Sequence, residues 1–218
     1  MSKNKYFINL LKIPNYLKYW LLKDKNKLPT EYQKLKYIET TGTQYINTNF
    51  IPNNNTKIEV TYMLTNVLTQ IIFGSRAEAD SSRAYNGIFV THRSSTAKVA
   101  WGKGLNSNID IQNYNDINVK YKVFFDKNNI YFNNNLVHNF LDVIWDGNYS
   151  IFAGCINTKG RAEFYAKCKY YNIKIWNENT LERDLVPCYR KSDNVVGLYD
   201  LVNDIFYTNQ GTGEFTYG

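Results

Sequence analysis

The sequence predicts an all-β fold, an antiparallel sandwich or jelly roll of two sheets, preceded by a short helical segment at the N-terminus. Three observations predict it. From residue 35 onward the chain repeatedly alternates polar and apolar residues with a period of two, which is how side chains alternate across a strand. Short clusters rich in Asn, Asp and Gly separate these runs, and such residues tolerate the backbone of tight hairpin turns. A helical pattern is confined to residues 1–28. The length of 218 residues suits one large β domain, expected over 29–218, rather than two small domains.

The leader is the first element. It carries seven lysines against one acid, Asp24, whereas residues 29–218 carry 19 basic and 18 acidic residues. Almost the whole net charge of +7 therefore belongs to residues 1–28, and a boundary is expected near Leu28-Pro29. Within the leader Phe7, Leu10, Leu11, Leu17 and Leu21 recur at helical spacing, and Trp20 adds a large apolar ring. Pro14 kinks that helix or splits it in two. Lysines interrupt the apolar run and no small-residue cleavage site follows, so a secretory signal is not expected. Three roles remain open: packing on its own domain, docking on a partner protein or neighbouring copy, and lying on a membrane surface. Docking is the favoured reading, through Phe7, Leu10, Leu11, Leu17, Trp20 and Leu21. No stretch of about 18 uncharged apolar residues provides a membrane span.

The strands follow in order. Residues 44–50 and 57–62 come first, then 67–74, 86–91 and 97–101. Residues 118–125 form the clearest case, with Val119, Tyr121, Val123 and Phe125 on one face. Asp126 to Asn129 then turns into 130–132, and Asn133 to Asn135 turns into 136–140. Further strands are expected at 149–153, 162–176, 195–199 and 204–208. Many short strands in one chain point to a two-sheet sandwich.

Chemistry is sparse. Laminarinase-type glucanases on such scaffolds carry E-x-D-x-x-E on a strand, which aims three acids into a cleft. Glu78-Ala79-Asp80 begins that pattern, but Arg83 stands where the last Glu belongs and the setting reads as a loop. His92 and His138 are isolated, and no His, Cys or acid cluster has metal-ligand spacing. Three cysteines make neither a C-x-x-C pair nor an even disulfide set. No enzyme, metal or cofactor is expected. The near-neutral body disfavours nucleic acid as a specific partner. Tyr85, Trp101, Tyr114, Trp145 and Trp176 have flat faces able to stack on sugars, although most must be core in so aromatic a chain. The group Arg76, Tyr85, His92, Arg93 and Trp101 mixes stacking rings with hydrogen-bond donors, and it is the expected ligand-facing surface.

The two ends of the body carry a resemblance. Residues 28–48, LPTEYQKLKYIETTGTQYINT, are similar to the opening of a group of concanavalin A-like, laminin G-like jelly-roll domains of tailed phages and prophages. Residues 185–202, LVPCYRKSDNVVGLYDLV, and 206–213, FYTNQGTG, resemble its close, with Asn194 where that group usually has Gly. The two matches bracket residues 28–218. The resemblance implies a virion structural protein, assembled in the bacterial host cytoplasm, in a tail, baseplate, fibre or capsid decoration. The jelly roll would bind a host-surface glycan, and the leader would dock on other virion proteins. A prophage-encoded surface adhesin and a glycan-degrading enzyme on the same scaffold are the alternatives.

Overall fold

The computed structural model describes residues 27–77, 86–104 and 107–218. Residues 1–26 of the leader expected to be helical, with the expected docking residues Phe7, Leu10, Leu11, Leu17, Trp20 and Leu21, lie outside the described residues, as do Glu78, Asp80 and Tyr85. Nineteen strands are present among the described residues. The first half holds β1 (Tyr32–Lys34), β2 (Ile38–Thr41), β3 (Ile46–Asn47), β4 (Thr56–Leu64), β5 (Gln70–Arg76), β6 (Gly87–His92), β7 (Ala97–Gly102) and β8 (Asn108–Ile111). Next come β9 (Lys120–Asp126), β10 (Asn129–Phe132), β11 (Asn135–Asn139), β12 (Phe152–Ala153), β13 (Ile156–Thr158) and β14 (Arg161–Glu163). The last are β15 (Lys167–Asn177), β16 (Thr180–Arg190), β17 (Val196–Asp200), β18 (Ile205–Thr208) and β19 (Thr216–Tyr217).

These strands form two sheets, an arrangement consistent with a jelly roll. The first runs β11-β10-β9-β4-β15-β16-β17-β18, with β1 on β16, β2 on β15 and β19 on β2. The second runs β14-β13-β5-β6-β7-β8, with β12 joining β5 to β3. Pairing is antiparallel except between β13 and β5. The core lies between the sheets. Ile58, Val60, Tyr62 and Leu64 of β4 and Val123 and Phe125 of β9 pack with Phe73, Ile88, Val90, Val99 and Trp101. Phe73 meets Phe125 edge-on at 5.8 Å. Each such side chain contributes about 1.5–3 kcal/mol when fully buried.

The two sheets differ in what their outer faces do. In β4 burial alternates perfectly, so its outer face meets water. In β5 and β6 every residue is buried, so side chains also cover the outer face of the second sheet. That cover includes a small separate cluster of Ile71, Phe89, Ala100 and Ile156.

Several expected boundaries move. The run 162–176 is broken into β14 and β15, with Phe164 between them in a left-handed backbone conformation, φ +56°. Val119 precedes β9 and is 41% exposed, because Asn118 at φ +61° turns the chain just before it. Strand β16 was not among the expected strands, since Glu182-Arg183-Asp184 and Pro187 obscure its alternation. Pro187 sits where β16 has left β15, after Leu185, and has not yet met β1, at Cys188. Its missing N–H therefore costs no ladder bond.

The opening and closing motifs lie against each other and lock the fold. The Thr43 hydroxyl donates to the Thr212 carbonyl at 2.8 Å, and Thr212 N–H donates to the Thr43 carbonyl at 3.2 Å. Asn209 Oδ1 accepts from the N–H groups of Tyr45 and Gly211. A Cβ at Gly211 would come 2.0 Å from the Thr43 carbonyl oxygen, so only glycine allows this approach. Asn194 takes φ +58° in the turn before β17, a conformation Asn tolerates in place of Gly. Asp200 is fully buried and accepts from Asp184 N–H, Val202 N–H and the Asn203 amide. These motif residues are structural.

Candidate ligand-binding site

The register of the second sheet decides which side chains can face a ligand. In β6, Ile88, Val90 and His92 point to the sandwich interior, while Phe89 and Thr91 point outward. Across the ladder Trp101 pairs with Ile88 and Ala97 with His92, so both point inward too. Arg76 pairs with Gly87 and Lys98 with Thr91, which places them on the outer face.

His92 and Trp101, expected on the ligand-facing surface, are therefore interior residues. His92 has no exposed surface; its Nδ1–H donates to Asn115 Oδ1 at 2.8 Å and its Nε2 accepts from the Tyr62 hydroxyl at 2.7 Å. Burial lowers its pKa to about 4, so it is neutral near pH 7. Trp101 packs edge-on against Trp145 at 5.2 Å. Tyr114 packs on Phe132 at 4.7 Å. Tyr85 lies outside the described residues.

Arg76 and Arg93 meet on the outer face. With Lys98 they line a pocket of about 80 Å³, completed by Thr69, Ile71, Phe89, Thr91 and Phe164. Arg76 is only 8% exposed; Nε donates to Thr158 Oγ1 at 2.9 Å, and Nη2 lies 3.4 Å from Glu163 Oε2. A buried guanidinium needs such partners to offset its lost hydration. Its central carbon sits 5.6 Å from the centre of the Phe164 ring, in cation–π range. Arg93 begins the turn from β6 to β7, anchored by its N–H to the Thr96 carbonyl at 2.8 Å. Its side chain makes no ion pair among the described residues. Lys98 is 3.7 Å from Asp110.

Phe164 is the residue that sequence patterning missed. Its ring is 48% exposed, and its backbone is held left-handed as the Ile71 N–H donates to its carbonyl at 2.9 Å. A bulky residue there costs roughly 1–2 kcal/mol relative to ordinary backbone. Period-two reading assigned Phe164 to the interior of a strand. The signal was the break in alternation at Glu163-Phe164-Tyr165, which two adjacent aromatics masked.

The outer face of the first sheet offers rings as well, but the lysines beside them are paired with carboxylates. Phe124, Tyr131 and Trp176 group there, half-buried, within 6.3 Å of one another along the chain of contacts. Around them lie the pairs Lys57–Asp126, Lys122–Glu59 and Lys174–Asp184, at 3.0, 3.5 and 3.3 Å. A second, larger groove of about 370 Å³ adjoins the same β6–β7 turn as Arg93. It is lined by Ser94, Ser95, Gln112, Asn113, Asn115 and Asp116, with Val67 and Ile117. No cluster of His, Cys, Asp and Glu among the described residues has the arrangement of a metal site.

No family model and no curated protein matches the chain. Among solved structures, a Bacteroides ovatus protein provisionally described as carbohydrate binding matches with a TM-score of 0.55 at 14% identity. The match covers 85% of this chain and 60% of that one, so the chain spans less than two thirds of its length. The carbohydrate-binding module of a Ruminococcus gnavus sialidase gives 0.45 at 11% identity over 69% of this chain and 91% of that one. Domains LG4-5 of the mouse laminin α1 chain give 0.44 at 7% identity, over 73% and 45%. Only the first is near enough to bear on architecture, and at this identity it speaks to fold alone. The chain shares its all-β, two-sheet fold with the Bacteroides protein.

Proposed function

We propose that the chain is a glycan-binding module acting without turnover, and that its ligand sits on the outer face of β5, β6 and β7. The observation that carries this reading is Phe164. A half-exposed aromatic ring held in a costly backbone conformation, above a nearly buried arginine, is a feature that folding alone does not favour. Its flat apolar face suits the C–H face of a sugar ring, and Thr69, Thr91 and the nearby guanidinium groups supply hydrogen bonds to hydroxyls. The groove lined by Ser94, Asn113 and Asn115 continues from the same turn and offers space for further sugar units. The Bacteroides protein of like fold, described as carbohydrate binding, supports the reading by analogy.

The test is a glycan array probed with the full chain, followed by titration of the best ligand. Binding that is lost in Phe164→Ala, with the fold retained, supports the site. Absence of binding to any saccharide refutes the function, and release of shortened products from a bound polysaccharide refutes the claim of no turnover.

A virion setting is the second part of the proposal and is supported by the opening and closing motifs. In this reading residues 1–28 dock on another virion protein, through the apolar face of Phe7, Leu10, Leu11, Leu17, Trp20 and Leu21. Deletion of residues 1–28 should leave a folded β protein that no longer joins its particle. Unfolding of the truncated chain would show instead that the leader belongs to the core.

A further inference from the structure

We propose that the ligand is an acidic saccharide, whose carboxylate or sulfate group is held between Arg93 and Lys98 while its ring rests on Phe164. The inference rests on the glycan-binding reading and names the ligand class within it. Three cations, Arg76, Arg93 and Lys98, line a pocket of about 80 Å³, and none of the described residues lining it is acidic. The body carries nearly balanced charge, so this concentration is a local feature rather than a general basicity.

Among the described residues, the neighbouring carboxylates are Glu163 and Asp110. Glu163 bridges two arginines, with Oε2 at 3.4 Å from Arg76 and Oε1 at 3.5 Å from Arg161. Asp110 lies 3.7 Å from Lys98 and its side chain is 48% exposed. That pairing is loose, and an ammonium has three donors to share. Arg93 has no ion pair among the described residues, and its guanidinium presents donors in the fork that matches a carboxylate or sulfate. On the outer face of the first sheet, by contrast, Lys57, Lys122 and Lys174 each have a carboxylate within 3.5 Å. At the pocket, where an exposed ring adjoins it, Arg93 is a cation with no carboxylate partner among the described residues.

The pocket is small and its floor apolar, formed by Ile71 and Phe89. It admits an anionic substituent of a sugar rather than a whole ring. The ring then lies over Phe164, and Arg76 beneath that ring adds positive potential from a site already fixed by Thr158 and Glu163.

The experiment titrates the full chain with matched pairs of oligosaccharides in 150 mM salt. The pairs are a uronate tetrasaccharide and its carboxyl-reduced form, sialyllactose and lactose, and a sulfated galactan fragment and its desulfated form. At least one acidic member should bind tenfold or more tighter than its neutral parent, and which pair responds distinguishes carboxylate from sulfate. Arg93→Gln, at an exposed position, and Lys98→Gln, at a half-buried one, should each cut that affinity about tenfold and lower the ratio of acidic to neutral affinity at least fivefold. If neutral parents bind equally well and Arg93→Gln has no effect, the acidic-ligand inference falls while the glycan reading stands. If no saccharide binds, both fall. If a single-stranded oligonucleotide binds tighter than every acidic saccharide, both fall as well.

Discussion

Phe164 lets backbone strain and ligand binding be separated by two substitutions. The ring is 48% exposed, so about half of it is removed from water on folding. A phenylalanine buries roughly 150–250 Å² in full, and half of that at about 25 cal/mol per Å² contributes about 2 kcal/mol. Phe164→Ala removes most of this but keeps a Cβ at φ +56°, so it should destabilise by about 2 kcal/mol. Phe164→Gly loses the same burial but relieves the left-handed strain by about 1 kcal/mol, leaving a net loss of about 1 kcal/mol. For a chain of this size 1 kcal/mol is about 2–4 °C in Tm. Urea titration of both variants should therefore rank wild type above Gly above Ala, and both variants should lose glycan binding alike. Equal stability of the two variants, or Ala above Gly, would refute the strain argument. Retention of binding by the glycine variant would refute the role of the ring.

Other expectations follow from the interior. His92 is buried and neutral, with its pKa lowered to about 4 from about 6.5 when unfolded. The unfolded chain binds a proton there that the folded chain does not, so stability is full above about pH 6.5 and falls as pH drops toward 4. The loss approaches about 3 kcal/mol, and urea titrations at pH 7.5 and 4.5 of wild type and His92→Gln should show a smaller pH-dependent drop in the variant. Asp200→Asn would turn an amide N–H₂ toward Asn203 or the backbone donors that Asp200 now satisfies. A loss of about 3 kcal/mol is expected from the thermal midpoint and calorimetric enthalpy, and a change below 1 kcal/mol would show that the closing motif is not structural there. Burial raises the thiols of Cys168 and Cys188 to about 12, so a thiol reagent at pH 8 should label neither until denaturant is added.

Much of the fold could be read from the chain because its cause is local. Alternation in β4 and β9, and Asn-rich turns such as Asn133-Asn134, at φ +49° and +68°, express preferences of neighbouring residues. The candidate site was legible only in part. Arg76 and Arg93 were visible as donors near one another in sequence, but His92 and Trp101 were grouped with them. In Gly87-Ile88-Phe89-Val90 both faces of the strand are apolar, so alternation cannot say which face looks inward. Pairing of β6 with β5 and β7 settles it. Phe164 and Lys98 were not singled out, since one stands at a break between strands and the other reads as an ordinary alternating lysine.

The sequence by itself determined the all-β class, the positions of most turns, the near neutrality of the body and the confinement of excess charge to residues 1–28. Those properties depend on composition and on periods of a few residues. Tertiary structure decided which side chains of the second sheet face the interior, that the two end motifs lock through Thr43, Asn209 and Gly211, and that Arg76, Arg93, Lys98 and Phe164 converge. These residues come from β5, from the β6–β7 turn, from β7 and from the β14–β15 break, up to 88 positions apart in the chain. Such convergence is set by strand register and sheet order, in which a one-residue slip would turn each side chain to the opposite face.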